Sequence, residues 1–163
     1  MLMHGDKFSV IPLTTHINLK NVYKHISPTN IKLFLNNFFK CIDKKIYGLK
    51  FKEIKFLCYN PHCGEAGTLG KEDFVIEKII KKNNKIKGIY SADNIFSDIN
   101  LKSLFISTYH DQVLIPFKLL NNKSINFTLG LNFRRLSPAH GTARDIKKKF
   151  IADNTSYLSC LLF

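Results

Sequence analysis

The sequence predicts an α/β fold, with a mixed or mostly parallel sheet flanked by helices. Two observations carry that expectation, and a third gains its meaning from it. Strand-like apolar runs alternate with helix-period stretches along the chain, which is the pattern of strand–helix–strand units. The run 54–59 (IKFLCY) is apolar enough to be buried on both faces, as strands of a covered parallel sheet are. In such a fold three histidines gain meaning, because each stands just past a predicted strand: His16 after FSVIPLTT, His62 after KFLCYNP and His110 after LFISTY. Open α/β sheets bind ligands at the carboxyl ends of their strands.

The elements follow in order. Residues 7–14 read as a strand, with Pro12 marking an edge or irregularity. From Leu19 the period turns helical, with Leu19, Val22, Tyr23 and Ile26 on one face. Ser27-Pro28 reads as an N-cap followed by proline at the first helical position. The helix that follows carries Ile31, Phe34, Leu35, Phe38, Ile42 and Ile46 on one stripe and is expected to stop at Gly48. After the strand at 54–59 come a glycine-rich loop, NPHCGEAGTLG, and a helix over about 71–82. Strands are expected at 85–90 (weak), 103–109 (strong) and 124–129. A short helix or turn spans 113–120, and a helical tail begins at Gly141.

A chain of 163 residues can bury one real core. No run approaches the ~18–20 apolar residues of a membrane span, so no membrane partner is expected. The opening MLMHGDKFSV lacks the apolar stretch of a secretory signal, and a cytoplasmic location is expected. The net charge of +13 raises the possibility of a nucleic-acid partner. The basic residues are scattered, however, with short runs at Lys81-Lys82 and Lys147-Lys148-Lys149. Abundant Lys, Asn, Ile and Phe are what AT-rich codons favour, so compositional drift is the preferred reading. Cys41, Cys58, Cys63 and Cys160 form no C-x-x-C pair, which leaves a zinc ribbon unsupported and reduced thiols as the expectation. Cys63, beside His62, is read as a small residue filling an alanine-sized space, with metal ligand or reactive thiol as the alternatives.

Three imidazoles at one sheet edge suggest a divalent metal site formed by His16, His62 and His110; a loop histidine bonded to backbone is the plainer reading for any one of them. The loop Asn60–Gly67 keeps a His and a Glu together but lacks a dinucleotide or P-loop fingerprint. In Tyr109-His110-Asp111-Gln112, Asp111 could orient an imidazole, accept a proton or cap a helix. Lys118, Asn126, Arg134 and Arg135 flank the strand at 124–129, and cations beside an amide suit a phosphate or carboxylate. His140 is a further strand-distal histidine.

In order along the chain come Thr14-Thr15-His16, Asn60-Pro61-His62-Cys63-Gly64-Glu65, Ser91-Ala92-Asp93, Tyr109-His110-Asp111-Gln112, Asn126-Phe127-Thr128-Leu129-Gly130-Leu131 and Ser137-Pro138-Ala139-His140-Gly141-Thr142-Ala143. Together they closely resemble the 4-hydroxythreonine-4-phosphate dehydrogenase (PdxA) family, which makes a precursor of pyridoxal phosphate. The resemblance implies an isocitrate/isopropylmalate dehydrogenase-like fold and a homodimer. It implies a divalent ion (Zn, Mg, Mn or Co) on His16, His62 and His110, with histidines drawn from both subunits and His110 from the second. It implies substrate binding by Lys118, Asn126 and Arg135, with Arg135 rather than Arg134 at the family position, and Asp111 and Asp93 as candidate catalytic carboxylates. The implied reaction is NAD-dependent oxidation of a phosphorylated hydroxy amino acid to a β-keto acid, followed by loss of carbon dioxide.

Two local departures stand out: Ala139 where the family commonly has Asp, and Leu136 where it has Thr. The match is also expected to cover only the C-terminal half of a family member. Residues 1–145 would form the metal- and substrate-binding domain, and 146–163 the start of a return segment to an absent first domain. A separately encoded N-terminal half is then a candidate partner, and the isolated chain is expected to have little activity. The alternatives are an inactive gene remnant, a basic polyanion-binding protein, and a dehydrogenase of another phosphorylated hydroxy acid.

Overall fold

The computed structural model describes residues 1–97, 99–141, 144–147, 149 and 151–163. A seven-stranded mixed sheet forms its centre, in the order β4-β3-β5-β2-β1-β6-β7. The strands are β1 (Leu2–Gly5), β2 (Phe8–Pro12), β3 (Glu53–Leu57), β4 (Ile89–Tyr90), β5 (Ser103–Ser107), β6 (Ser124–Phe127) and β7 (Leu136–Pro138). β4, β3, β5 and β2 run parallel, so their carboxyl ends share one edge. β1 pairs antiparallel with both β2 and β6, so β6 also ends at that edge. The alternation of strands and helices thus gives the expected mixed α/β sheet.

Helices cover both faces. α1 (Pro28–Ile42) and α2 (Glu72–Ile80) lie on one side, where Ile31, Leu35, Phe38, Ile76 and Ile80 pack against Ile11, Phe56, Leu104 and Ile106. α3 (His110–Leu120) lies on the other, burying Val113, Leu114 and Phe117 against Met3, Phe8, Val10 and Phe105. Strand side chains alternate between these two cores because the pleat has a period of two. The Ser27 N-cap is as expected: its Oγ accepts the Asn30 N–H at 3.2 Å, with Pro28 in the first turn.

Several boundaries differ from the sequence expectation, and tertiary contacts explain most of them. α1 ends at Ile42 rather than Gly48. The intervening 45–47 segment turns so that Tyr47 buries its ring fully; its hydroxyl donates to the Leu131 carbonyl at 2.6 Å and accepts the Gly130 N–H at 3.0 Å. Gly48 caps that short turn with a left-handed backbone, φ 66°. Leu19–His25 forms a tight 3-10 turn that buries Val22 and leaves Leu19 and Tyr23 exposed. β1 and β7 were not expected. They are short, and what makes them strands is pairing with β6 rather than a pattern of their own. The tail forms a short turn at Arg144–Ile146 and then α4 (Thr155–Leu162). α4 is tied down by the Ser156 hydroxyl, which donates to the Ser124 carbonyl at 2.6 Å and accepts the Ala139 N–H at 2.7 Å. Thr142, Ala143 and Lys148, named in motifs above, lie outside the described residues.

The cysteines require a correction. Reduced thiols were expected, but Cys58 and Cys63 are joined by a disulfide, while Cys41 and Cys160 are free. Cys58 directly follows β3, and the loop folds back on itself so that the two Cα atoms come within 5.0 Å. That span suits a disulfide.

Candidate functional site

Side-chain hydrogen bonds join the parallel strand ends into one platform. The Thr14 hydroxyl donates to the Thr108 carbonyl at 2.7 Å, locking the end of β2 to that of β5. Gln112 spans the next gap: its Oε1 accepts the Thr108 N–H and hydroxyl, both at 3.0 Å, and its Nε2 donates to the Cys58 carbonyl at 2.6 Å. Strand ends have carbonyl and N–H groups left over from the ladder, and these contacts satisfy several of them.

On this platform His16 and His110 face each other, with ring centroids 5.5 Å apart and planes tilted by 53°. Two imidazoles bound to one tetrahedral ion at ~2.1 Å would hold their ring centres about 5 Å apart, close to this separation. Both residues belong to the same chain here, whereas the resemblance would draw His110 from a second subunit. His110 Nδ1 hydrogen-bonds Asp111 Oδ1 at 2.6 Å. With the proton on Nδ1, that bond leaves Nε2 free to act as a ligand, the usual role of a carboxylate behind a metal-binding imidazole. Asp111 does not cap α3; Tyr109 holds that position and Asp111 lies in the first turn.

His62 is oriented differently. Its Nδ1 meets Glu65 Oε1 at 3.1 Å and its Nε2 meets Asp93 Oδ2 at 3.5 Å. The hydrogen bond to Glu65, then the charge of Asp93, hold its pKa above the usual imidazole value. A bond from the Ser91 hydroxyl, with His62 nearby, holds the Asp93 carboxyl below its usual value. Both ring nitrogens of His62 face carboxylates, so ligation by His62 requires one of them to leave its acid. The structure therefore brings two of the three predicted histidines together and turns the third toward acids. Among the described residues no group of three or more His, Cys, Asp or Glu is gathered closely enough to hold a metal ion.

The backbone of the His62 loop is unusual. Residues 62–66 all have positive φ, between 45° and 79°, and only Gly64 among them is a glycine. Left-handed backbone costs an L-residue roughly 1–2 kcal/mol, so this turn must be held from outside. Asp73, buried at the start of α2, does so at one end. Its carboxylate accepts the Tyr59 N–H at 2.6 Å, the Asn60 N–H at 3.0 Å and the Asn60 side-chain amide at 3.0 Å. The other end is closed by Leu69 N–H to Gly64 and Thr68 N–H to Glu65, each at 3.2 Å. Asp73 was not singled out from the sequence. The available signal was an acid in the first turn of a helix following a glycine loop.

The three predicted substrate contacts lie on the α3 side of the sheet. Asn126 pairs with Met3, which packs under α3. Directly paired residues share a face, and the ladder from Asn126–Ser137 on to Thr128–Arg135 carries Arg135 to the same side. Arg135 Nη1 donates to the Thr128 hydroxyl at 2.7 Å. Arg134 is engaged elsewhere, donating to the Ile46 carbonyl and lying over the Phe163 ring. The Asn126 Oδ1 is buried with no hydrogen-bond partner, the one such side-chain atom among the described residues, which fits a group that awaits a donor. Lys118 is exposed on α3, about 12 Å beyond His110 at 1.5 Å per residue. No hydrogen bond joins Lys118, Asn126 and Arg135 among the described residues. His140 donates to the neighbouring Gly141 carbonyl at 2.9 Å and belongs to neither cluster by contact. No helix of the described residues is long and apolar enough to cross a membrane.

Comparison with known proteins shows the family and the fold. The family described as pyridoxal phosphate biosynthetic protein PdxA matches residues 1–163. The 4-hydroxythreonine-4-phosphate dehydrogenase of Aquifex aeolicus is 40% identical over 170 residues, covering 99% of this chain and 52% of that protein. The crystal structure of the enzyme of that name from Klebsiella pneumoniae superposes with a TM-score of 0.74 at 27% identity, covering 99% of this chain and 51% of the other. A terephthalate 1,2-cis-dihydrodiol dehydrogenase from Burkholderia xenovorans shares the fold, with a TM-score of 0.67 at 23% identity and 98% of this chain covered, against 53% of its own. The chain thus spans about half the length of the relatives it matches. With a family match that runs from end to end, the chain belongs to the PdxA family.

Proposed function

We propose that this chain is the metal- and substrate-binding half of an NAD-dependent 4-hydroxythreonine-4-phosphate dehydrogenase. Its fold would be of the isocitrate/isopropylmalate dehydrogenase type, and it would correspond to the C-terminal half of its relatives. The observation that carries this reading is the His16–His110 pair at the parallel strand ends, with Asp111 behind His110. In this reading residues 1–145 form the domain and 146–163 begin a return segment toward the remainder of the enzyme.

His16 and His110 would hold a divalent ion, which would supply Lewis-acid stabilisation of the substrate oxygen, and NAD would supply the hydride acceptor. The chain's own residues bind and orient. The Asp111 carboxylate against His110 Nδ1 would favour the tautomer that leaves Nε2 free as a ligand. Asp93, the second candidate carboxylate, is held below its usual pKa by Ser91, which makes it a weaker proton acceptor and suits it to stabilising positive charge and orienting His62 through Oδ2. The Arg135 guanidinium can grip two phosphate oxygens at once. Lys118 adds charge, and Asn126 directs an otherwise unsatisfied oxygen at a substrate donor. Decarboxylation, homodimerisation and the requirement for a complementing half belong to the same proposal. The test is NADH formation from 4-phosphohydroxy-L-threonine by this chain, alone and with the N-terminal half of a homologue, together with cobalt binding by calorimetry. Turnover that appears only with the added half, and cobalt binding abolished by His16→Ala plus His110→Ala, are the expected results. Unchanged cobalt binding in that double variant would sink the metal assignment.

A further inference from the structure

We infer that the Cys58–Cys63 bridge is a reversible redox clamp on the His62 loop, a modification site opened by dithiol reductants and closed by small-molecule disulfides. The clamp itself stands on the loop geometry; its consequence for metal binding rests on the function proposed above.

The two sulfurs sit where a clamp would act. Cys58 is 1% exposed at the end of β3, a rigid strand in the middle of the parallel ladder. Cys63 is half-buried in the loop, beside His62. The bridge spans a sequence separation of 5, so it constrains one turn rather than the whole fold. That turn is the run of left-handed residues 62–66, a conformation L-residues leave unless restrained. Asp73 restrains its entry, and the Thr68 and Leu69 N–H groups restrain its exit. The disulfide ties its middle covalently to the end of β3. In this bridged state His62 is held against Glu65 and Asp93 while His16 and His110 pair without it. Opening the bridge lets residues 62–66 relax toward right-handed backbone and frees His62 to join the other two.

The exchange balances. A reductant thiolate attacks the more accessible Cys63 sulfur, forming a mixed disulfide. Cys58 leaves with the electron pair and takes up a proton. The reductant's second thiol then displaces Cys63 and closes to a cyclic disulfide, so the protein gains two electrons and two protons. A small disulfide reverses both steps. Cys41 and Cys160, free in the structure, supply an internal count.

The experiment uses the purified chain after oxidised glutathione or after dithiothreitol. Alkylation in denaturant is expected to modify only Cys41 and Cys160 in the first case and all four cysteines in the second. Hydrogen exchange at Thr68 and Leu69 should be at least about tenfold slower in the oxidised form, since a short cross-link removes that much local opening. Cys63→Ala should exchange like the reduced form under both treatments; reduced wild type serves as the reference if the variant does not fold. The inference is overturned if Cys58 and Cys63 remain alkylatable after the oxidant, or if loop exchange is the same in both states. Cobalt titration separates the two ideas. Tighter binding after reduction supports both. Equal or absent binding, with exchange that does respond to reduction, leaves the clamp standing and removes His62 from the metal site.

Discussion

The buried carboxylate of Asp73 holds Asn60 twice, through its backbone N–H at 3.0 Å and its side-chain amide at 3.0 Å. One acid at the start of α2 therefore fixes where the loop bearing His62 leaves β3. Asp73→Ala should cost about 2–3 kcal/mol in urea unfolding, because it strands the Tyr59 and Asn60 donors. It should also speed proteolysis within 60–69. A variant as stable as wild type, with an equally protected loop, would show that Asp73 does not position it.

Asp111 offers a sharper test of the histidine pair. Asp111→Asn removes the anionic partner of His110 Nδ1 but keeps the size of the side chain. Zinc or cobalt affinity should fall by about 10- to 100-fold, the usual effect of losing a carboxylate behind a metal ligand. Thermal stability without metal should barely change, since Asp111 is exposed. Calorimetry on the two proteins decides the matter.

Arg135 is predicted to act as a fork. Its Thr128 bond holds the guanidinium, and the ladder register puts Arg135 on the same side of the sheet as Asn126. Arg135→Ala should weaken binding of a phosphate-bearing ligand by roughly tenfold or more. Arg135→Lys should recover little of it, because an ammonium cannot bond two oxygens in the same plane. Arg134→Ala should leave this affinity alone. The reverse pattern would assign the subsite to Arg134.

Glu53 should make the fold acid-sensitive. Burial alone would raise its carboxyl, but ion pairs with Lys55 at 2.8 Å and Lys87 at 2.9 Å, with bonds from Ser103 and Asn100, hold it well below the usual carboxylate range. A folded-state pKa below the unfolded value stabilises the protein above about pH 4.3, and the contribution is lost as pH falls through the folded value. Glu53→Gln should cost about 3 kcal/mol at pH 7, leaving the buried Lys55 ammonium unpaired. The gap to wild type should narrow steadily below about pH 4. A gap independent of pH in denaturant titrations would rule out this origin.

The sequence by itself determined the class of fold and which histidines stand past its parallel strands. Apolar runs such as 103–109, which holds β5, period-two and period-3.6 patterns, and the Ser27-Pro28 start of α1 are local signals, and local physics honours them. His16, His62 and His110 could be put at one sheet edge because parallel strands share a direction, which needs no knowledge of distance. Only the tertiary structure decided which of them meet. His16 and His110 come together because Thr14 and Gln112 pin adjacent strand ends. His62 turns to Glu65 and Asp93 because Asp73 and a disulfide hold its loop in left-handed backbone. Those partners lie up to 94 residues apart along the chain. Strands β1 and β7, the early end of α1 and the Tyr47 anchor were hidden for the same reason. Each is set by a hydrogen bond or packing contact with a distant segment, and no window of neighbouring residues contains that information.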